Sequence, residues 1–349
     1  AGAMTDGALI RGHLTIGVPV HNGEAFLAAM LENLLADELD RVRVVVSDNA
    51  STDATVDIAL AAAGRDERIM VRRQPHNVGA NANFNSLAAD CRTEFFKWAA
   101  VDDLLEPGLL PAALAAMDDP TVVLAHGTPR LIDGGGDLLA QPVDGYPIAG
   151  AASALDRYRD VLRREVWCMP VFGVLRIEAL RRTALLRPFY GADKVLLAEL
   201  ALHGRFVQVA PAFRRRCHDE QSTVLDAWAK QRWTRGAVDA DPVPAAVRAA
   251  VAYVRIAATA PLPPPQRARA TAAAVALLAR PDKLRKALLP GPYNYFGWTG
   301  SSRRHAYDGL DLRTVGDEGD GRNVGNGGDG GERAAAGVAA TVPDGSGRR

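Results

Sequence analysis

Short runs of apolar and β-branched residues recur along the first two hundred positions, and each is followed by a stretch of helical period. Leu14-Thr15-Ile16-Gly17-Val18, Val42-Arg43-Val44-Val45-Val46, Ile69-Met70-Val71, Phe95-Phe96-Lys97-Trp98 and Val122-Val123-Leu124 read as strands. Their largely unbroken apolar character points to strands covered on both faces, and therefore mostly parallel. Between them, Phe26, Leu27, Met30, Leu31, Leu34 and Leu35 make one helical stripe, and Val56, Ile58, Leu60 and Ala63 follow the cap formers Ser51, Thr52 and Asp53. The order β-α-β-α-β-α-β predicts an α/β fold, a mostly parallel sheet flanked by helices, from Leu14 to about Val209.

Past Val209 the chain turns rich in alanine and arginine, with a Pro261-Leu262-Pro263-Pro264-Pro265 break between two helical stretches. This predicts a helical C-terminal part packed on the first domain. The expected organisation is a lead-in over 1–12, an α/β domain over 13–220, a helical region over 221–313 and a disordered glycine-rich tail over 314–349. Ala1-Gly2-Ala3 ahead of Met4 reads as the scar of a cleaved tag. The tail holds runs such as Gly325-Asn326-Gly327-Gly328 and almost no large apolar side chains, so burial cannot offset its ordering entropy. Asp282 to Trp298 mixes basic and aromatic residues, for which docking on the domain is favoured over contact with a membrane surface.

Composition narrows the partners. Among 349 residues, 41 basic side chains balance 41 acidic ones, which argues against nucleic acid as the main partner. Hydrophobic residues at 48% and charged ones at 23% are those of an ordinary folded protein. Cys91, Cys168 and Cys217 are odd in number and widely spaced, which suits neither a disulfide framework nor a paired zinc site and predicts a reduced, cytosolic protein. The longest uncharged helical stretch, Thr271 to Ala279, is too short to span a bilayer. The cytoplasm is the expected compartment, with peripheral contact at the inner face of the membrane as a second placement.

In an open α/β sheet, ligands bind beyond the carboxyl ends of the strands. Four such ends carry polar or special residues: Pro19-Val20-His21-Asn22-Gly23-Glu24, then Ser47-Asp48-Asn49-Ala50-Ser51-Thr52-Asp53, then His76-Asn77-Val78-Gly79-Ala80-Asn81-Ala82-Asn83-Phe84-Asn85, then Val101-Asp102-Asp103. Adjacent carboxylates after an apolar strand need a cation or a set of donors. If the chain stays extended, Asp102 and Asp103 point opposite ways, one to a metal and the other to a sugar hydroxyl. The competing reading, that they cap a helix starting near Pro107, is weaker once the other three strand ends are counted.

In order, spacing and strand context these four segments resemble glycosyltransferase family 2, of the GT-A fold, over roughly Leu14 to Asp103, with a looser likeness to about His218. The resemblance implies a Rossmann-like sheet that binds a nucleoside-diphosphate sugar, a UDP-sugar being favoured. By position, Pro19, His21, Asn22 and Glu24 would line the nucleotide and Asp48 would read the base. His76, Asn77, Gly79 and Asn85 would shape the wall between base and sugar, with Asn85 alternatively bonding nearby backbone. Asp102 would contact the ribose and Asp103 a divalent Mn²⁺ or Mg²⁺ bridging the phosphates.

Transfer with inversion needs a carboxylate to take the acceptor's proton. Asp193, in the first turn of a helix opened by Tyr190-Gly191-Ala192, resembles the family's base, where Ala192 replaces a common Glu. Phe213-Arg214-Arg215-Arg216-Cys217-His218 resembles a late strand whose histidine, here His218, completes the metal shell and whose arginine, here Arg216, holds the diphosphate. Asp133 reads as a turn residue. Ala229 stands where the processive synthases carry the Gln of Gln-x-x-Arg-Trp, so one sugar per encounter is expected. The acceptor is an unidentified hydroxyl on a polysaccharide precursor, glycolipid or natural product, and the alanine-arginine bias fits a bacterial source. The alternative is a non-catalytic nucleotide-sugar-binding scaffold or sensor. A nucleotidyltransferase and a dehydrogenase are disfavoured, because the first loop has neither Arg nor Lys and no GxGxxG opens the first helix.

Overall fold

The structure is a computed structural model and describes residues 9–37, 39–142, 150–151, 153–163, 168–216, 243–279 and 312–314. The strands expected from the apolar runs are present as β1 (Ile10–Val20), β2 (Val42–Asp48), β3 (Ile69–Arg73), β4 (Thr93–Trp98) and, after the two-residue β5 (Leu104–Leu105), β6 (Val122–Ile132). Helices α1 (Leu27–Leu35), α2 (Thr55–Ala63), α3 (Ala80–Asp90) and α4 (Leu109–Ala116) connect them. The second half adds β7 (Leu138–Pro142), α5 (Ala154–Arg163), a 3-10 turn at Met169–Phe172, β8 (Val174–Arg176), α6 (Ile177–Arg181), α7 (Ala192–Ala201) and β9 (Arg205–Arg216). Helices α8 (Ala245–Thr259) and α9 (Pro264–Leu278) follow, then β10 (Leu312–Thr314). They flank the Pro261–Pro265 break. The rest of the C-terminal region and the glycine-rich tail lie outside the described residues.

The strands form one sheet in the order β10-β7-β6-β8-β4-β1-β2-β3, with β9 pairing β6 and β5. The nucleus β4-β1-β2-β3 is parallel, with β1, β2 and β4 largely buried and β3 at the more exposed edge. Period-two alternation then sorts each strand between two layers. On β1, Leu14, Ile16, Val18 and Val20 join the core beneath α1, α2 and α4. On β4, Phe96 and Trp98 face the other layer, with α3, α5, α7, α8 and α9. Trp98 is fully buried and satisfies its indole by donating to the Phe84 carbonyl at 2.9 Å.

Later pairings escape the simple parallel expectation. Strand β8 is antiparallel to both β4 and β6, while β9 runs parallel to β6 and places Arg214 opposite Leu104 on β5. The end of β9 is thereby held against the segment that follows Asp103.

Gly173, between the 3-10 turn and β8, has no room for a side chain: a Cβ there would lie 2.5 Å from the Ala125 carbonyl oxygen and 3.0 Å from His126 Cβ. Backbone on a paired strand cannot yield cheaply. Gly173→Ala is expected to lower unfolding free energy by about 1–3 kcal/mol in urea melts.

Candidate active site

The loops after β1, β2 and β3 are stitched together by the polar residues singled out in the sequence. The Asn22 amide donates to Ser51 Oγ (2.9 Å), and Asn22 Oδ1 accepts the Thr52 amide (2.9 Å). Glu24 Oε2 accepts the Ala54 amide (2.9 Å), and the Glu24 amide donates to Asp53 Oδ2 (3.2 Å). Asn49 donates through Nδ2 to Asn77 Oδ1 (3.0 Å) and accepts the Val78 amide (2.9 Å), while Asn77 Oδ1 also accepts the Gly79 amide (2.9 Å). Asn22 and Ala50 adopt positive φ, 52° and 59°, so two non-glycine residues hold left-handed turns at these strand ends. His21, Asn22, Glu24, His76 and Asn77 are exposed along this edge, whereas Pro19 is buried within β1.

Asp48 is 0% exposed. Its carboxylate accepts the Ser51 amide at 3.2 Å and pairs with Arg73 Nε at 3.2 Å. The left-handed Ala50 folds Ser51 back onto it. Asn49, next in the chain, links the second and third loops instead.

Asp102 and Asp103 are divided by a turn rather than by an extended strand. Asp102 is partly exposed and Asp103 is 4% exposed. Asp103 Oδ2 accepts from Arg215 Nη1 at 3.1 Å and Oδ1 from the Arg216 amide at 3.2 Å. Burial pushes its pKa up to about 6, against the pull of Arg215 and with the Asp102 charge adding to the rise. Beneath it Lys97, 1% exposed, is pushed down to about 7 by burial, against the attraction of Asp103. Its ammonium donates to the Phe172 carbonyl and lies 5.6 Å from the Phe213 ring centroid. Arg215 in turn covers the Phe172 ring at 5.7 Å.

The Arg216 guanidinium serves as a clamp. It donates from Nε to the Asp102 carbonyl (3.1 Å) and from Nη1 to the carbonyls of Asp133 and Gly134, and it lies 5.1 Å from the Phe26 ring centroid. Asp133 closes the β6–β7 turn by accepting the amides of Gly136 and Asp137.

Asp193 sits in the first turn of α7, half-buried, behind a left-handed Gly191 at φ 84°. Burial raises its pKa, offset in part by the Lys194 amide donating to Oδ1 at 2.8 Å and by a hydrogen bond from the Cys168 thiol. Tyr190, pushed up to about 12 by burial and then by the charge of Asp193, feels Arg215 as well. A continuous set of interacting groups therefore runs from Asp103 through Arg215 and Tyr190 to Asp193. Asn81 and Asn85, one turn apart on α3, clasp the segment ahead of Asp193: Asn81 donates to the carbonyls of Arg187 and Phe189, and Asn85 exchanges two hydrogen bonds with the Leu186 backbone (2.7 and 2.9 Å). Asn85 thus bonds backbone a hundred positions away, not nearby.

His218 lies outside the described residues. Among the described residues no group of three or more His, Cys, Asp and Glu gathers as a metal cage. The donor set still fits a hard divalent ion of the kind held by one or two carboxylates plus substrate phosphates, Asp102 and Asp103 being the carboxylates at hand. Arg73, Lys97, Cys168, Tyr190 and Arg215 went unassigned on sequence alone. Period-two alternation along Arg214-Arg215-Arg216 was the one available signal, since it sets Arg215 on the face opposite its neighbours.

Residues 15–165 match the family model described as glycosyl transferase family 2. Over 104 residues, 30% of this chain and 30% of its partner, the chain is 32% identical to EpsH of Bacillus subtilis (strain 168), which carries a glycosyltransferase name. The match spans about a third of the length of the curated relatives. Among solved structures, S. aureus TarS in complex with UDP superimposes at TM-score 0.53 and 15% identity, covering 75% of this chain and 70% of that one. The mannosyltransferase PcManGT of Pyrobaculum calidifontis, in complex with GDP-Man and Mn²⁺, superimposes at TM-score 0.50 and 18% identity, covering 80% and 77%. These likenesses show the GT-A fold.

The clasp on α3 gives a direct expectation. Asn85→Ala leaves the Leu186 amide and carbonyl without their partner, and stability should fall by about 1–3 kcal/mol in chemical denaturation.

Proposed function

From the match of residues 15–165 to the glycosyl transferase family 2 model, we propose that the protein moves one sugar from a nucleoside-diphosphate sugar to an acceptor hydroxyl, with inversion. The observation that carries this reading is the run of interacting groups from the Asp103–Arg215 pair to Asp193. It joins a place for a diphosphate to a basic carboxylate at one edge of the sheet. A UDP-sugar is the favoured donor, supported by the UDP in the TarS complex, and GDP is the competitor that the PcManGT complex suggests.

Asp193 takes the proton of the acceptor hydroxyl as its oxygen bonds to the anomeric carbon and the bond to the diphosphate breaks. Its raised pKa makes it a better base than an ordinary carboxylate. Arg215 faces the negative charge that develops on the departing nucleoside diphosphate. Asn22, Glu24, His21, His76, Asn77 and Gly79 line the nucleotide side, with Asp48 and Arg73 bracing the turn beneath the base and Asp102 at the ribose. Mn²⁺ or Mg²⁺, held by Asp103 with His218, would supply Lewis-acid neutralisation of the diphosphate. No described helix is long and apolar enough to cross a membrane.

Calorimetry with UDP, GDP and dTDP, each with and without Mn²⁺, tests the donor site. One nucleotide should bind, and chelator or Asp103→Ala should abolish it; no binding of any with metal present would sink the reading. Asp193→Asn should keep nucleotide affinity but lower kcat by about 10²–10⁴-fold. Because the base must be ionised and its pKa is raised, wild-type kcat should fall as pH drops through a value above the ordinary carboxylate range. A scaffold would bind nucleotide yet show no turnover with either protein.

A further inference from the structure

Helices α8 and α9 carry only one sign of charge. Of the 41 basic and 41 acidic residues in the chain, the stretch 243–279 holds Arg248, Arg255, Arg267 and Arg269 and no aspartate or glutamate. Arg255 and Arg269 are exposed and Arg267 partly so, and none of these three makes an ion pair among the described residues. The inner side of the helix pair is fixed: Tyr253, Ile256, Ala270 and Ala274 join the core shared with α5 and α7, and the Tyr253 carbonyl accepts from the Tyr158 hydroxyl at 2.8 Å. The outer side is apolar as well as basic. Three of the six large hydrophobic side chains exposed among the described residues stand here, Val243, Val251 at 63% and Val275 at 51%.

Helical spacing gathers these groups into one surface. On α8, Val251, Arg255 and Ala258 share a face at i, i+4 and i+7; on α9, Ala268, Ala272, Val275 and Ala276 form a stripe that Arg267 and Arg269 flank on either side. Ala258 and the α9 stripe line a single open groove, with Arg267 at its margin. Charge then decides what can cover it. A second copy of the chain would bring two arginine-edged strips together, and like charges oppose association. The chain's own continuation adds Arg280, Lys283, Arg285 and Lys286 against the single Asp282, which makes it an equally poor cover. Nucleic acid would match the arginines but leave the alanine and valine strip without a partner. An anionic lipid surface matches both, since methyl groups enter the boundary between headgroups and acyl chains while arginine stems reach back to the phosphates.

We propose that the outer face of α8 and α9 is a peripheral docking surface for an anionic membrane leaflet, with Val251 and Val275 at the lipid boundary and Arg255, Arg267 and Arg269 on the headgroups. The inference stands on charge and exposure alone and does not depend on the sugar-transfer reading. Alanine and valine bury little apolar area, so the attraction is mainly electrostatic: it needs anionic lipid and weakens with salt.

Cosedimentation of the full chain with vesicles tests it, phosphatidylglycerol mixed with phosphatidylcholine against phosphatidylcholine alone. The chain should bind the mixed vesicles at about 0.1 M salt, leave them as salt rises to about 0.5 M, and ignore the zwitterionic ones. Each arginine at such a surface is worth about fivefold, so Arg255→Gln, Arg267→Gln and Arg269→Gln together should weaken binding about a hundredfold. The same charge removed at exposed positions around β2 and α2, by Arg41→Gln, Arg43→Gln and Arg65→Gln, should change it less than twofold. Val251→Ser with Val275→Ser should weaken it severalfold at constant net charge. No binding to the anionic vesicles overturns the proposal, and so does equal weakening by the two arginine triples. Binding that survives the first triple but is lost in Lys283→Gln, Arg285→Gln, Lys286→Gln moves the contact to the segment after α9 and overturns it as well. A dimer in analytical ultracentrifugation that Val275→Asp dissolves, without vesicle binding, gives the face to a second copy instead.

Discussion

A carboxylate buried at the end of a central strand sets the terms for everything around it. Asp103 is removed from water just after β4, and it has Lys97 below and Arg215 above as counter-charges. Leaving such a group without a cation would cost several kcal/mol. The elements that bring the cations are therefore constrained together: β4 for Lys97, β9 for Arg215, and β5 to hold β9 in register. Lys97 itself needs an acceptor, which the Phe172 carbonyl provides. The antiparallel half of the sheet and the 3-10 turn are thereby tied to one charge.

On the proposed reading, a diphosphate or a divalent ion arriving at this cluster would meet a site whose charges already compensate one another. Binding would exchange partners rather than create them: Arg215 can pass from Asp103 to a phosphate as Asp103 passes to a cation, with buried charge conserved at each stage. A preformed, compensated site loses less free energy to reorganisation than an empty acidic pocket whose carboxylates repel. The same logic accounts for the loops proposed to hold the nucleotide, where Asn22 and Glu24 bond the 51–54 segment and Asn49 bonds Asn77 and the Val78 amide. Their rigidity is bought from the loops themselves, leaving the exposed edges of His21 and His76 to vary with the ligand.

The parallel nucleus and the four polar strand ends were legible because each rests on a local signal, apolar runs or turn chemistry within a few residues. What was not legible depends on distant partners. Strands of two and three residues, β5 and β8, have no period to read, yet they decide that β9 ends beside Asp103. The surroundings of Asp48 were not legible: the left-handed Ala50, which no propensity scale foretells for alanine, folds the Ser51 amide onto its carboxylate, and Arg73 of β3 pairs with it. Lys97 lies inside the run Phe95-Phe96-Lys97-Trp98, where a strand reading treats it as an interruption. Only the position of Asp103 explains a lysine there.

The two hydrophobic layers divide the work of the site. The loops after β1, β2 and β3 cap strands whose inner faces pack on α1, α2 and α4, while Asp193 rides on α7 in the opposite layer with α3, α5 and α8. A site split between two cores is only as precise as the links across the sheet. Asn83 on α3 bonds Ser47 of β2 (Nδ2 to the carbonyl, 2.9 Å), while Asn81 and Asn85 on the same helix hold 186–189 ahead of Asp193. Alternate asparagines on α3 thus face β2 and the segment ahead of Asp193. On the far side of Asp193, the turn from Cys168 to Phe172 makes the second link. With α3 on one side and the turn on the other, the first turn of α7 is tied to both layers by hydrogen bonds and packing, which would hold a base at Asp193 in place on the proposed reading.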